Sequence, residues 1–65
     1  MCLSTAYRNS REPEAIAMKN VMVIECREGQ VVLTDLMERQ LVLNGYVEKA
    51  NLVEGYVVVR ETLPA

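Results

Sequence analysis

The residue with the most distinctive chemistry in this chain is the cysteine at position 2. An initiator methionine followed by so small a residue is normally removed, which would leave Cys2 with a free α-amine beside its thiol. That amine and the thiolate close a five-membered N,S chelate, and the amide nitrogen of Leu3 can add a third donor. Nickel(II) and copper(II) favour square-planar sets of N and S donors, whereas zinc prefers a tetrahedral set. These residue types predict a metal ligand at Cys2.

One chain supplies only two or three such donors, which is an incomplete site for most metals. A symmetric dimer would bring two Cys2 residues together about one axis and complete a four-donor set. The sequence has no histidine, the commonest metal-ligating side chain, so the N-terminus is the best candidate site. The alternative is that Cys2 has no chemical role, because lone cysteines are more often structural than reactive. If Met1 stays on, only the thiolate is left.

The second cysteine and the carboxylates predict ordinary structural roles. Cys26 lies within the apolar run 21–27, where a cysteine usually behaves as a small buried hydrophobe. Glu28 and Glu54 stand beside glycine turns and Glu38 in a connection, which are ordinary solvated positions. A chain of 65 residues has little room for the desolvated pocket that an active site needs. We therefore expect no enzymatic activity and two free thiols, in a cytoplasmic protein.

Charge and hydropathy bear on the possible partners. The net charge is −2, which argues against a nucleic-acid partner because phosphate binding needs a basic surface. Arg8 and Arg11 beside Tyr7 form the nearest candidate for an RNA site, and an exposed loop is the alternative interpretation. No stretch approaches the roughly 20 apolar residues that cross a bilayer. Neither a membrane association nor a secretion signal is expected.

The elements that must position these residues are predicted to be strands. Ten valines give the chain a strong β-branched bias. Turns are expected at Glu28-Gly29, Met37-Glu38, Asn44-Gly45 and Glu54-Gly55, of which Asn-Gly is the best hairpin signal. A single helical turn within 35–42 is an alternative. The predicted strands are 3–7, 15–18, 21–27, 31–36, 39–43, 46–52 and 56–60, followed by a tail at 63–65.

This pattern predicts an all-β fold: a small antiparallel meander or barrel of six to seven strands, SH3-like or Sm-like, in a single domain of residues 1–65. So short a chain buries only about 60% of its unfolded surface. Small scaffolds with thin cores often add a metal or a partner subunit.

Several segments together resemble one family. They are the Met-Cys-Leu-Ser-Thr start at 1–5, the Lys-Asn-Val at 19–21, the Val-Val-Leu-Thr-Asp-Leu at 31–36 after a glycine turn, and the valine-rich 56–59. Over nearly the whole chain the sequence resembles the CooT family. The resemblance implies a compact β-rich homodimer that binds one Ni(II) per dimer for carbon monoxide dehydrogenase maturation. The family's metal-binding residue maps onto Cys2, and the implied partners are a nickel enzyme or its maturation proteins.

Two other hypotheses remain open at this stage. Homologues have been labelled as predicted RNA-binding proteins, which corresponds to a small RNA-binding or protein-interaction module of Sm-like fold. A purely structural protein is the other, in which an edge strand at 56–60 makes the dimer and no metal is needed. The sequence also lacks any histidine-rich tail, so nothing adds capacity for metal storage.

Overall fold

The computed structural model describes residues 3–62, which form five strands and one short 3-10 helix. Met1, Cys2 and the predicted tail at 63–65 lie outside the described residues. The all-β prediction is confirmed, with five strands in place of six or seven. The elements are β1 Ser4–Arg8, the 3-10 helix Pro13–Ala15, β2 Ile16–Arg27, β3 Gln30–Asp35, β4 Gln40–Asn51 and β5 Tyr56–Glu61.

The strands close into a barrel in the order β1-β2-β3-β4-β5. Neighbours pair antiparallel except at the closure, where β1 and β5 run parallel in a register from Thr5 opposite Tyr56 to Arg8 opposite Val59. β5 therefore has a hydrogen-bonded strand on both sides. The hypothesis of a dimer through a free edge at 56–60 is wrong, because β5 is hydrogen-bonded to β1 and β4 and has no unpaired edge.

The strand count is lower than expected in part because β2 is one continuous strand that pairs with both β1 and β3. Its first half pairs with β1, and its second half, from Val21 onward, pairs with β3. The predicted break at Lys19-Asn20 is a bend within the strand, where Asn20 adopts a φ of 58°. A register shift between Val21 and Val23 follows. Bulges of this kind increase strand twist, and they let a short chain turn a barrel corner.

β4 is continuous in the same way, so the predicted hairpin at Asn44-Gly45 is wrong. Gly45 lies within the strand, where the pairing partner changes from β3 to β5. Its φ is 155°, and a Cβ placed on it would overlap the carbonyl oxygen of Arg60. The glycine is needed for a close approach of two backbones. The predicted turns at Gly29 and Gly55 are confirmed, with φ values of 72° and 80°.

The barrel interior is filled by small and medium apolar side chains. Alternate residues of β3 and β5 point inward, as the period of a strand requires. Partly buried apolar residues of β2 and β4 pack around them. The buried cluster comprises Ala6, Val21, Val31, Leu33, Leu43, Val57 and Val59.

Candidate functional site

The N-terminus enters the barrel at a well-defined place, although Cys2 itself lies outside the described residues. Ser4 pairs with Val21 of β2. On the other side, the Thr5 N–H donates to the Gly55 carbonyl oxygen at 3.0 Å. The Leu3 carbonyl oxygen lies 3.6 Å from the position that a Cβ on Gly55 would occupy. The residue that directly follows Cys2 is therefore held beside the turn that joins β4 to β5.

That turn is braced by a single asparagine. The side-chain oxygen Oδ1 of Asn51 accepts the backbone N–H groups of Val53 at 3.1 Å and Glu54 at 2.8 Å. The Gly55 N–H donates to the Asn51 carbonyl oxygen at 2.8 Å. Asparagine is suited to turns because its side chain can replace a backbone acceptor two or three residues along. The turn is consequently well defined, and Leu52 and Val53 project from it with 80% and 94% of their surface exposed.

Two of the three predicted RNA-binding residues, Tyr7 and Arg11, pack on the ring of Tyr56. The guanidinium carbon of Arg11 lies 4.0 Å from the centre of the Tyr56 ring, and its Nη2 is 3.5 Å from Oε1 of Glu54. Tyr7 meets the same ring edge-on, with 6.3 Å between ring centres. Arg8 is exposed on β1, and the cations over the Tyr56 ring are Arg11 and Lys49. Since Arg11 already covers Tyr56, that ring is not free to stack on a base.

Asp35, in the Val-Leu-Thr-Asp-Leu segment, is the buried polar residue of the described chain, with 3% of its surface exposed. Its Oδ1 accepts the N–H groups of Met37 and Arg39, both at 2.9 Å, and its Oδ2 accepts Nε of Arg39 at 2.8 Å. Burial raises the pKa of Asp35, but the hydrogen bonds from Arg39, its positive charge and the bond from Met37 outweigh burial, so the pKa falls below its usual value. Asp35 holds the β3–β4 turn, in which Glu38 has a φ of 66°.

This role was not anticipated from the sequence. An aspartate at the end of a strand, followed by a short connection without glycine, is the signal that could have revealed it, because such side chains commonly bind their own turn. Asp35 and Arg39 also line a shallow groove of about 530 Å³ with Lys19 and Leu41. Both carboxylate oxygens of Asp35 are already hydrogen-bonded, so this groove offers no unpartnered acid.

Cys26 is exposed, and the prediction that it is buried in the core is wrong. Cys26 pairs with the buried Val31 and follows Ile24 by two residues on the same face of β2, but it lies beside the open β2–β3 turn, where its side chain stays exposed. It lines a shallow groove of about 400 Å³ whose walls include Tyr46 and Val47. Among the described residues, no histidine or carboxylate lines this groove, so Cys26 has no second metal ligand of those types there.

Within residues 3–62, no three histidine, cysteine, aspartate or glutamate side chains are grouped so that they could hold a metal ion. Over the same residues, no helix has the length and apolar character needed to cross a membrane. Cys2 lies outside those residues, so its predicted role as a metal ligand stays a prediction.

Comparisons with known proteins agree with the motif-based resemblance. The family model described as "CO dehydrogenase accessory protein CooT" matches residues 1–60. A crystal structure of a protein assigned as CooT, from Carboxydothermus hydrogenoformans, superposes with a TM-score of 0.81 at 14% sequence identity. The match covers 95% of this chain and 100% of that one, and at such low identity it shows a shared fold. No curated protein sequence matches. Because the family model matches 60 of the 65 residues, from the Met-Cys start into β5, the chain belongs to the CooT family of CO dehydrogenase accessory proteins.

Proposed function

We propose that this protein is a nickel-binding accessory protein whose homodimer holds one Ni(II) between its two Cys2 residues and delivers it to carbon monoxide dehydrogenase. The observation that carries this proposal is the family match over residues 1–60, which includes Cys2. The lack of a three-ligand cluster within residues 3–62 supports it, because no competing site is offered by that part of the chain.

The donor chemistry of the chain fits nickel as a cargo. Each N-terminal Cys2 offers an amine and a thiolate, so two chains supply the four N and S donors that a square-planar ion prefers. Such a site requires that Met1 has been removed, since only then is the amine free. The barrel fixes where the N-terminus leaves it, because Leu3, the residue after Cys2, is held between β2 and the β4–β5 turn. The protein itself performs no reaction in this scheme.

Nickel titration followed by native mass spectrometry tests the proposal directly. We expect the mature chain to lack Met1, to form a dimer and to bind one Ni(II) per two chains. Cys2→Ser should abolish nickel uptake, because it removes the thiolate that each chain contributes to the shared site. Cys26→Ser is the matched control, since it removes the other cysteine, which is exposed in the described structure, and it should bind nickel like the parent protein.

Two results would contradict the proposal. Nickel uptake that persists in Cys2→Ser would show that the metal binds elsewhere. One metal per chain in the parent protein would show an independent site in place of a shared one.

No specific observation favours the alternative of an RNA-binding module. Arg11 is paired with Glu54 and lies on Tyr56, and the net charge of the chain is −2. That alternative requires salt-dependent RNA binding that survives Cys2→Ser and depends on Arg8 or Arg11. A filter-binding assay on those variants distinguishes it from nickel binding.

A further inference from the structure

The tip of the β4–β5 turn has an unusual composition for an exposed turn. Tight turns mostly carry glycine, proline, asparagine, aspartate or serine. Here Leu52 and Val53 occupy the tip, with 80% and 94% of their surface exposed. Single exposed apolar residues are ordinary, but two neighbours at a tip braced by the Asn51 side chain form a rigid apolar projection. A projection already fixed in shape loses little conformational freedom when a partner covers it.

We propose that this apolar tip, Leu52 and Val53, packs against a second copy of the chain and forms part of the contact between the two protomers that share the metal. The inference rests on the proposed nickel-linked homodimer and names the surface through which that dimer forms.

The strand directions place the tip beside the chain's N-terminus. β5 runs parallel to β1, so the turn that precedes Tyr56 extends from the barrel in the same direction as the chain that precedes Ser4. On the other side of β1, Ser4 pairs with Val21, and the next residue, Met22, is 45% exposed. Leu3 therefore lies between the apolar tip and a second exposed apolar side chain.

The short distance along the chain makes a second copy the expected occupant. Only one Cα–Cα step of about 3.8 Å separates Leu3 from Cys2. A metal ion bound by Cys2 of both chains would therefore bring both copies of Leu3, and the tips beside them, close to the dimer axis. The acid next to the tip is neutralised within its own chain, because Glu54 pairs with Arg11 at 3.5 Å. Two copies of this surface can approach each other without repulsion between like charges.

The other exposed apolar turn supplies a matched control. β3 and β1 are both antiparallel to β2, so they run in the same direction, and Asp35 lies level with Ser4 across Val21. The turn after Asp35 therefore extends away from the N-terminal end. Met37, in that turn, is 73% exposed and should not contribute to the proposed contact.

Sedimentation equilibrium of the full chain, with and without Ni(II) ions, tests the inference. The double variant Leu52→Ser/Val53→Ser should raise the dimer dissociation constant at least about tenfold, because the apolar area of each tip is present twice in a symmetric contact. Met37→Ser should dissociate like the parent protein. Both substitutions fall on exposed side chains, and circular dichroism checks the fold. Val53→Lys, which changes only the most exposed residue, should weaken the dimer in the same direction.

The outcomes separate this inference from the proposed function. An unchanged dissociation constant in the double variant, or an equal weakening by Met37→Ser, would overturn the tip contact while nickel binding at Cys2 stands. Nickel uptake by Cys2→Ser would overturn the proposed function whatever the dimer does. A parent protein that stays monomeric in the presence of Ni(II) would overturn both.

Discussion

Three polar side chains stabilise the turns and strand ends of this barrel by accepting hydrogen bonds from backbone N–H groups. The Asn51 side chain braces the β4–β5 turn, and the Asn9 side chain accepts the N–H of Glu61 at 2.9 Å. Asp35 does the same for the β3–β4 turn with three hydrogen bonds. Each residue satisfies backbone N–H groups where the ladder of strand hydrogen bonds stops. These polar groups are therefore committed to the fold and are not free for chemistry.

Asp35 should make the stability of the fold depend on acid. Its pKa in the folded chain is lowered, so its stabilising effect is fully present above the unfolded value of 3.8 and is lost as the pH falls through the folded pKa. Asp35→Asn should lower the free energy of unfolding at neutral pH, and that free energy should then fall less steeply as the pH drops below about 4. Urea unfolding at several pH values measures this. Glu38→Gln, a change at an exposed acid in the same turn, is the control, and an unaltered acid slope in Asp35→Asn would contradict the assignment.

At the scale of elements, β2 and β4 are two long strands that replace the four shorter strands predicted from the sequence. β2 and β4 have 12 residues each, and each pairs with one neighbour in its first half and another in its second. The partner changes next to Asn20 in β2, where φ is 58°, and at Gly45 in β4, where φ is 155°. A barrel can thus close with five strands, because each long strand bends around a corner without a loop.

Gly45→Ala should be much more destabilising than Gly29→Ala. The added Cβ at Gly45 would overlap the backbone of Arg60, which cannot move without disturbing β5, so we expect a loss of at least about 3 kcal/mol in the free energy of unfolding. At Gly29 no atom lies within 4 Å of the added Cβ, and only the positive φ is strained, at about 1 kcal/mol. Chemical denaturation compares the two variants. Equal losses would show that β4 and β5 can separate at Gly45.

At the scale of the whole molecule, the barrel has a small core for its surface. Seven buried side chains form the central cluster, and Leu33, Val31, Val57 and Val59 are the largest that are fully buried. A core of this size rarely supplies more than about 3–5 kcal/mol of stability. Anything that binds only the folded form should therefore raise the stability by a large fraction of its total.

Nickel should accordingly stabilise the parent protein and fail to stabilise Cys2→Ser. At a free concentration about 100 times the dissociation constant, one bound ion contributes about 2.7 kcal/mol. For a domain of this length, each kcal/mol corresponds to a shift of about 4–8 °C in the thermal midpoint. Differential scanning calorimetry with and without Ni(II) measures the shift, and Cys26→Ser should respond like the parent protein. A nickel-dependent shift of equal size in Cys2→Ser would place the stabilising site elsewhere.

Local sequence patterns were sufficient to predict the all-β class and the turns at Gly29 and Gly55. Alternation of side chains and turn preference depend on neighbouring residues, so a single sequence carries that information. The Met-Cys start, together with the segments at 19–21, 31–36 and 56–59, was likewise enough to indicate the family, which the match over residues 1–60 confirms. The metal chemistry of Cys2 stays a prediction, because that residue lies outside the described chain.

Only the tertiary structure decided how the segments join. The continuity of β2 and β4 and the parallel closure of β1 on β5 depend on partners distant in the sequence. The exposure of Cys26 depends on its position beside the open β2–β3 turn of the barrel. Gly45 shows the reason. In the sequence, Asn44-Gly45 has the composition of a hairpin turn, yet the backbone of Arg60, fifteen residues away, approaches so closely that only a glycine fits within an extended strand. The extended conformation at Gly45 is therefore set by the pairing of β4 with β5 in the closed barrel, and the local preference of Asn-Gly for a hairpin turn is overridden.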